Sequence, residues 1–121
     1  MKKTLFLALI VILFASCGAE QTKQDLLQGT WVSTEDSNSK LIIKDNQLFY
    51  SYYDQVDEPG AFILADECVE EKTQNNPNGS YIIVFLEDVS DCYSISKLDS
   101  ENLEIIFLAR GNTLVYKKQT N

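Results

Sequence analysis

Downstream of Gly29 the chain breaks into short runs rich in β-branched and aromatic residues, each closed off by turn formers, and this punctuation constrains the fold more than any other feature. The runs are Thr30–Ser33, Lys40–Lys44, Gln47–Tyr53, Ala61–Val69, Ser80–Glu87, Cys92–Lys97, Leu103–Ala109 and Thr113–Lys118. Eight strands at this spacing, with no helical period between them, predict an all-β antiparallel domain. Parallel pairing would need crossovers of about a dozen residues or more, which these connections cannot supply. The connections also carry the right turn chemistry. Asp45-Asn46 tolerates the left-handed backbone of a tight hairpin, and Gly111 does so between the last two runs. The longest irregular stretch, 70–79, contains Asn75-Asn76-Pro77-Asn78-Gly79 and reads as a hairpin loop.

Alternation separates the faces of several strands. Leu103, Ile105 and Phe107 point one way and Glu104 the other; Leu41 and Ile43 share a face opposite Lys40 and Lys44. The run from Tyr81 to Leu86 is apolar on both faces, so both are expected to be covered. Gln47 to Tyr53 favours neither face. A small closed barrel is the simplest way to hide the edges of eight such strands. Ahead of them, Lys23–Gln28 has room for one or two turns of helix.

The first 16 residues, followed by Cys17, read as an export signal. Lys2 and Lys3 precede an apolar stretch from Thr4 to Phe14, then small residues at Ala15 and Ser16, then Cys17. This is the pattern of a bacterial lipoprotein: Cys17 becomes the acylated first residue of the mature chain, carrying palmitate-type chains, with a tether and short helix over 17–28. An ordinary signal peptide cut after Ala15 or Ser16 is the rival reading. A retained span is the third, although spanning helices need about 20 apolar residues. The domain division that follows is a signal over 1–16, the tether and helix, a barrel over 29–118 and a tail over 119–121.

Loss of Lys2 and Lys3 leaves eight basic against eighteen acidic side chains, a net of −10. Such a surface is repelled by nucleic acid and by an anionic bilayer surface, and suits a basic protein, a cation, or solubility alone. With Cys17 acylated, Cys68 and Cys92 remain as a pair in a compartment where disulfides persist. They are expected to bond.

The catalytic repertoire is narrow. The chain has no histidine, which removes histidine-based general bases, the Ser-His-Asp triad and histidine metal sites. Adjacent acids at Asp57/Glu58, Asp66/Glu67 and Glu70/Glu71 would point to opposite faces of a strand. Asp54 to Glu58 lacks the ligand spacing of a calcium loop, and no glycine-rich phosphate loop is present. No metal, cofactor or enzymatic activity is expected. Tyr50, Tyr52, Tyr53, Tyr81 and Phe85 are candidates either for an apolar pocket with hydroxyl tips or for ordinary cross-strand packing.

Gly29-Thr30-Trp31, just after the short helical segment and opening the first strand, resembles the Gly-x-Trp motif of the lipocalins and their wider relatives. The ending from Ser94 through Leu103-Glu104-Ile105 to Thr113–Lys118 is similar to that of small lipocalin-like lipoproteins of Bacteroidetes-type bacteria. The resemblance covers 27–118 and implies an eight-stranded up-and-down barrel with Trp31 plugging one end. It also implies an arginine packed over that tryptophan, for which Arg110 is the candidate as the chain's lone arginine, although it precedes the last strand. The implied function is a lipid-anchored binding module of the cell envelope, at the outer membrane and facing the periplasm or the exterior. It would hold a small apolar ligand by Tyr50, Tyr52, Tyr81 and Phe85. The alternative is an inhibitor- or immunity-type lipoprotein whose acidic loops capture a basic protein.

Overall fold

The computed structural model describes residues 21–68 and 80–120. Helix α1 (Lys23–Leu27) leads into β1 (Gly29–Ser33), β2 (Ser39–Lys44), β3 (Gln47–Tyr52), the two-residue β4 (Gln55–Val56), β5 (Gly60–Ala65), β6 (Tyr81–Phe85), β7 (Ser90–Leu98), β8 (Asn102–Phe107) and β9 (Asn112–Lys118). Each strand pairs antiparallel with its neighbours in the order β2-β1-β9-β8-β7-β6-β5-β3, and the β2–β3 pairing closes the ring. The result is an eight-stranded up-and-down barrel, with β4 appended to β3 as a hairpin arm. The eight expected strands are therefore present, most within a residue or two of their expected limits. Ala61–Val69 is the exception, because pairing stops at Ala65; Val69 lies outside the described residues, as do Cys17 and the signal.

Register assigns the inner face. Trp31 pairs with Leu41 and Lys118, Leu41 with Tyr50, Ile43 with Leu48, Phe62 with Val84, Ile82 with Tyr93, Ile95 with Ile105 and Leu103 with Tyr116. Twelve buried residues, Leu27 and Trp31 among them, form one cluster inside the barrel. On β3 the uncommitted alternation resolves inward for Leu48, Tyr50 and Tyr52, since these face Ile43, Leu41 and Ser39. A β-bulge between Ile95 and Lys97 shifts the register of β7 against β8. It is what allows Ile95 and Leu98, three apart in sequence, both to join the core.

Because β1 starts directly after α1, strand alternation defines two ends. At the plugged end lie α1, the Asp45-Asn46 turn and the β7–β8 turn. The far end carries residues 34–38, the β3–β4 arm with 57–59, the β6–β7 turn and the β8–β9 turn. Helix α1 is capped by Thr22, whose hydroxyl accepts from the amide of Asp25 at 3.1 Å. It is held over the plugged end by Gln28, whose amide group accepts from the Asp45 amide at 2.6 Å and donates to the Asp45 carbonyl at 3.1 Å. Gln24 donates to the same carbonyl at 2.7 Å.

Trp31 is fully buried, and its indole N–H donates to the Leu27 carbonyl at 2.8 Å, so the plug is satisfied as well as packed. The cation over its ring is Lys118, with Nζ 4.6 Å from the ring centroid. Arg110 is exposed in the β8–β9 turn, so the expectation that it packs on Trp31 is corrected. The reason is topological: that turn is at the far end, whereas Lys118 closes β9 beside Trp31. Lys118 Nζ also donates to the carbonyls of Gln28 and Leu26, which the short helix leaves without partners of its own. Desolvation lowers its pKa.

Cys68 and Cys92 form a disulfide, with Cα atoms 6.3 Å apart. It lies on the outer wall rather than in the barrel. Cys68, Tyr81 and Cys92 are buried together with Ile83 and Leu108 against them, a second cluster separate from the interior. The chain leaving β5 is thereby fastened back across β6 and β7.

Candidate functional site

The inner wall changes character along the barrel axis. Toward the plugged end the inward positions are Trp31, Leu41, Ile43, Leu48, Leu103 and Ile105, all buried. At the far end the corresponding positions are Ser33, Ser39, Tyr52, Asp91 and Asn112, all half-buried or exposed. The interior therefore ends in a polar, wetted rim.

Between the two zones lies a layer of aromatic rings. The Tyr50 hydroxyl donates to that of Tyr93 at 3.1 Å; β3 and β7 are not neighbours in the sheet, so this bond crosses the interior. Tyr93 stacks on Phe107 with ring centroids 5.1 Å apart, and Tyr116 is buried beside them. Burial raises the pKa of Tyr50, with the neighbouring Tyr93, Tyr116 and Asp91 adding to the effect. Burial likewise raises Tyr93, where Asp91 adds to the rise and the Tyr50 hydrogen bond opposes it. Tyr116 is pushed up to about 12, again mainly by burial. All three hydroxyls are thus held neutral across the physiological range.

The candidate ligand residues are dispersed. Tyr50 lies within the aromatic layer and Tyr52 faces inward at the rim, where it is exposed. Tyr81 and Phe85 belong to the outward set of β6, since Ile82 and Val84 take the inward positions. Tyr81 is covered by the disulfide cluster and Phe85 is exposed, so neither lines the interior. Only part of the outer face of β6 is therefore covered. The sequence reading missed Tyr93, Tyr116, Phe107 and Asp91 as partners of Tyr50. Alternation back from Tyr93 would have flagged Asp91, but nothing in Cys92–Lys97 says which of its faces is inward.

Around this wall the far-end loops present large apolar side chains to solvent: Tyr52, Tyr53 and Val56 on the β3–β4 arm, and Phe85, Leu86 and Val89 at the β6–β7 turn. Tyr52 and Tyr53 meet edge to face with centroids 4.5 Å apart. Between them stand Glu35, Asp36, Asp54, Asp57, Glu58, Glu87 and Asp88, against which these loops set one basic residue, Arg110. The described lysines lie elsewhere, at the plugged end or along the walls. Tyr53 and Asp54 occupy the two central positions of the β3–β4 turn with φ of 49° and 61°. This is a type I′ geometry normally filled by Asn-Gly, so an exposed tyrosine sits in a backbone conformation that costs it free energy.

Protein-family models, curated proteins and solved structures yield no match to this chain.

Proposed function

We propose that this protein is a lipid-anchored, lipocalin-like binding module of the bacterial cell envelope, without enzymatic activity, which receives a basic protein partner on the far rim of its barrel. The observation that carries this reading is the composition of that rim. Exposed tyrosines and aliphatics interleave with seven carboxylates and one arginine. Tyrosine anchors in a charged surround are the usual make-up of a protein-recognition surface, and the charge favours fast encounter with a basic partner. Position supports it too. The tether from Cys17 enters at α1, on the plugged end, so an anchored molecule turns its far rim away from the bilayer.

The test is site-specific photo-crosslinking in cells from position 53 on the rim and, as control, from position 104 on the barrel wall. A partner of high isoelectric point, captured from 53 and lost on Glu87→Lys with Asp88→Lys, is the expected result. Equal capture from both positions, or an acidic partner, overturns the reading. Cys17→Ser examined by membrane fractionation tests the anchor separately; release from the membrane, or retention as an unprocessed precursor, is expected.

A small apolar ligand is the second reading. It is favoured by the layer of Tyr50, Tyr93, Phe107 and Tyr116 beneath the polar rim. Native mass spectrometry of protein taken from its host, with a bound apolar mass that organic extraction removes, would favour it over the first.

A further inference from the structure

Asp91 is the one carboxylate on the inner wall among the described strand residues. Its register partner Val84 is inward and buried, and it lies two residues before the inward Tyr93 on β7. The β8–β9 turn that carries Arg110 runs beside it, the Leu108 amide donating to the Cys92 carbonyl at 3.1 Å, yet among the described residues Asp91 forms no ion pair. Lys118, the other charged residue on the inner face, is at the opposite end and engaged with Trp31 and the helix carbonyls. Arg110 is exposed in its turn, and Lys40 pairs in register with Ser51 and Val32 on the outward face of β2. An inward carboxylate at the mouth of an aromatic-lined interior is a ready counter-charge for a cation that enters from the rim.

The surroundings of Asp91 fit such a cation. The Tyr50 and Tyr93 hydroxyls are near enough to feel its charge, and both keep lone pairs to accept an N–H. The stacked rings of Tyr93 and Phe107, with Tyr116, supply aromatic faces to which cations are attracted. Below them the wall is apolar as far as Lys118 at the plugged end. The polar positions above, Ser33, Ser39 and Asn112, are accessible from the rim.

We infer that the far end of the barrel interior is a binding site for an organic cation, an ammonium or guanidinium group on an apolar stem, with Asp91 as counter-ion and the Tyr50–Tyr93–Phe107 layer as its seat. The same chemistry is offered by a free amine and by a lysine or arginine side chain of a docked protein. The site stands whether or not the rim has a protein partner.

Titration calorimetry of the purified full-length protein tests it with three probes: phenethylamine, the peptide acetyl-Leu-Lys-Leu-amide, and the neutral 2-phenylethanol. At least one cationic probe should bind while the alcohol does not. Asp91→Asn should weaken that binding about tenfold or more, the scale of losing a partly desolvated charge pair, and Asp91→Glu should restore much of it. Binding of phenethylamine assigns a free amine as sufficient; binding of the peptide alone assigns a protein side chain. The inference is overturned if neither cation binds, if the alcohol binds as well, or if Asp91→Asn binds as tightly as the parent. Should Asp91→Asn fail to fold, the carboxyl carbon resonance of Asp91 in the unaltered protein gives the same answer. It should move on titration with the bound cation and stay fixed with the alcohol, and a resonance indifferent to both overturns the proposal.

Discussion

A Cβ placed on Gly29 would stand 2.7 Å from Lys118 Cε and 3.0 Å from its Nζ, and the backbone there has φ of +124°. Two separate costs therefore weigh against a side chain: a conformation that L-residues rarely adopt, and displacement of the flexible lysine end from its place over Trp31. Gly-x-Trp at this barrel end is thus a three-part device in which glycine gives way to a cation that then covers the indole and the helix carbonyls. Gly29→Ala should destabilise by about 2 kcal/mol or more, as substitutions at positive φ with a clash do. In a Lys118→Ala background the collision is gone and the φ cost remains, so Gly29→Ala should cost measurably less there. A double-mutant cycle by urea unfolding would give that coupling; strict additivity would mean that Lys118 does not occupy the space beside Gly29 in solution.

At the level of elements, the strands were legible because each is short, β-rich and bounded by turn formers, and because Leu41/Ile43 and Leu103/Ile105/Phe107 alternate cleanly. What escaped was set by partners distant in sequence. Nothing local could tell that Tyr81 and Phe85 would face outward, since β6 is apolar at every position and only its register against Phe62 and Tyr93 chooses a face. The cation on Trp31 escaped for a similar reason. The resemblance called for an arginine, the chain has one, and topology put it at the wrong end. The β4 arm was missed because Tyr53-Asp54 carries no glycine to announce a two-residue turn. That same misfit makes a prediction. Tyr53→Asn with Asp54→Gly installs residues suited to type I′ geometry and should stabilise the fold by about 1 kcal/mol, raising the midpoint of thermal unfolding. If the arm exists to present Tyr53, the variant should also lose capture of the partner by a crosslinker placed at the exposed position 56 of the same arm. An unchanged or lowered midpoint would mean that the turn is unstrained as it stands.

Over the whole molecule, the aromatic layer couples stability to pH on the alkaline side. Tyr50, Tyr93 and Tyr116 all have folded-state pKa values raised above 10.0, with Tyr116 at about 12. For an acid raised by folding, the native state keeps a proton that the unfolded chain releases. Its contribution is therefore fully present below pH 10 and is lost as pH climbs through the folded value. For Tyr116 alone a shift from 10.0 to about 12 corresponds to roughly 2–3 kcal/mol. Tyr50 and Tyr93 add to this in the same direction. Against a typical domain stability of about 5–15 kcal/mol, the barrel should resist mild alkali and then unfold cooperatively above pH 10. The excess of acidic side chains adds to the effect by self-repulsion. Phenolate absorbance followed against pH, beside circular dichroism, is the measurement. Tyr50, Tyr93 and Tyr116 should ionise only together with loss of the β signal. Tyr116→Phe should keep the ring in the interior cluster and the Tyr50–Tyr93 hydrogen bond in place, and should shift the unfolding midpoint upward in pH, since one group that ionises more easily in the unfolded chain is removed. Ionisation of all the tyrosines near pH 10 with the barrel intact would show that water reaches the layer from the rim, and that these hydroxyls are not buried across the interior.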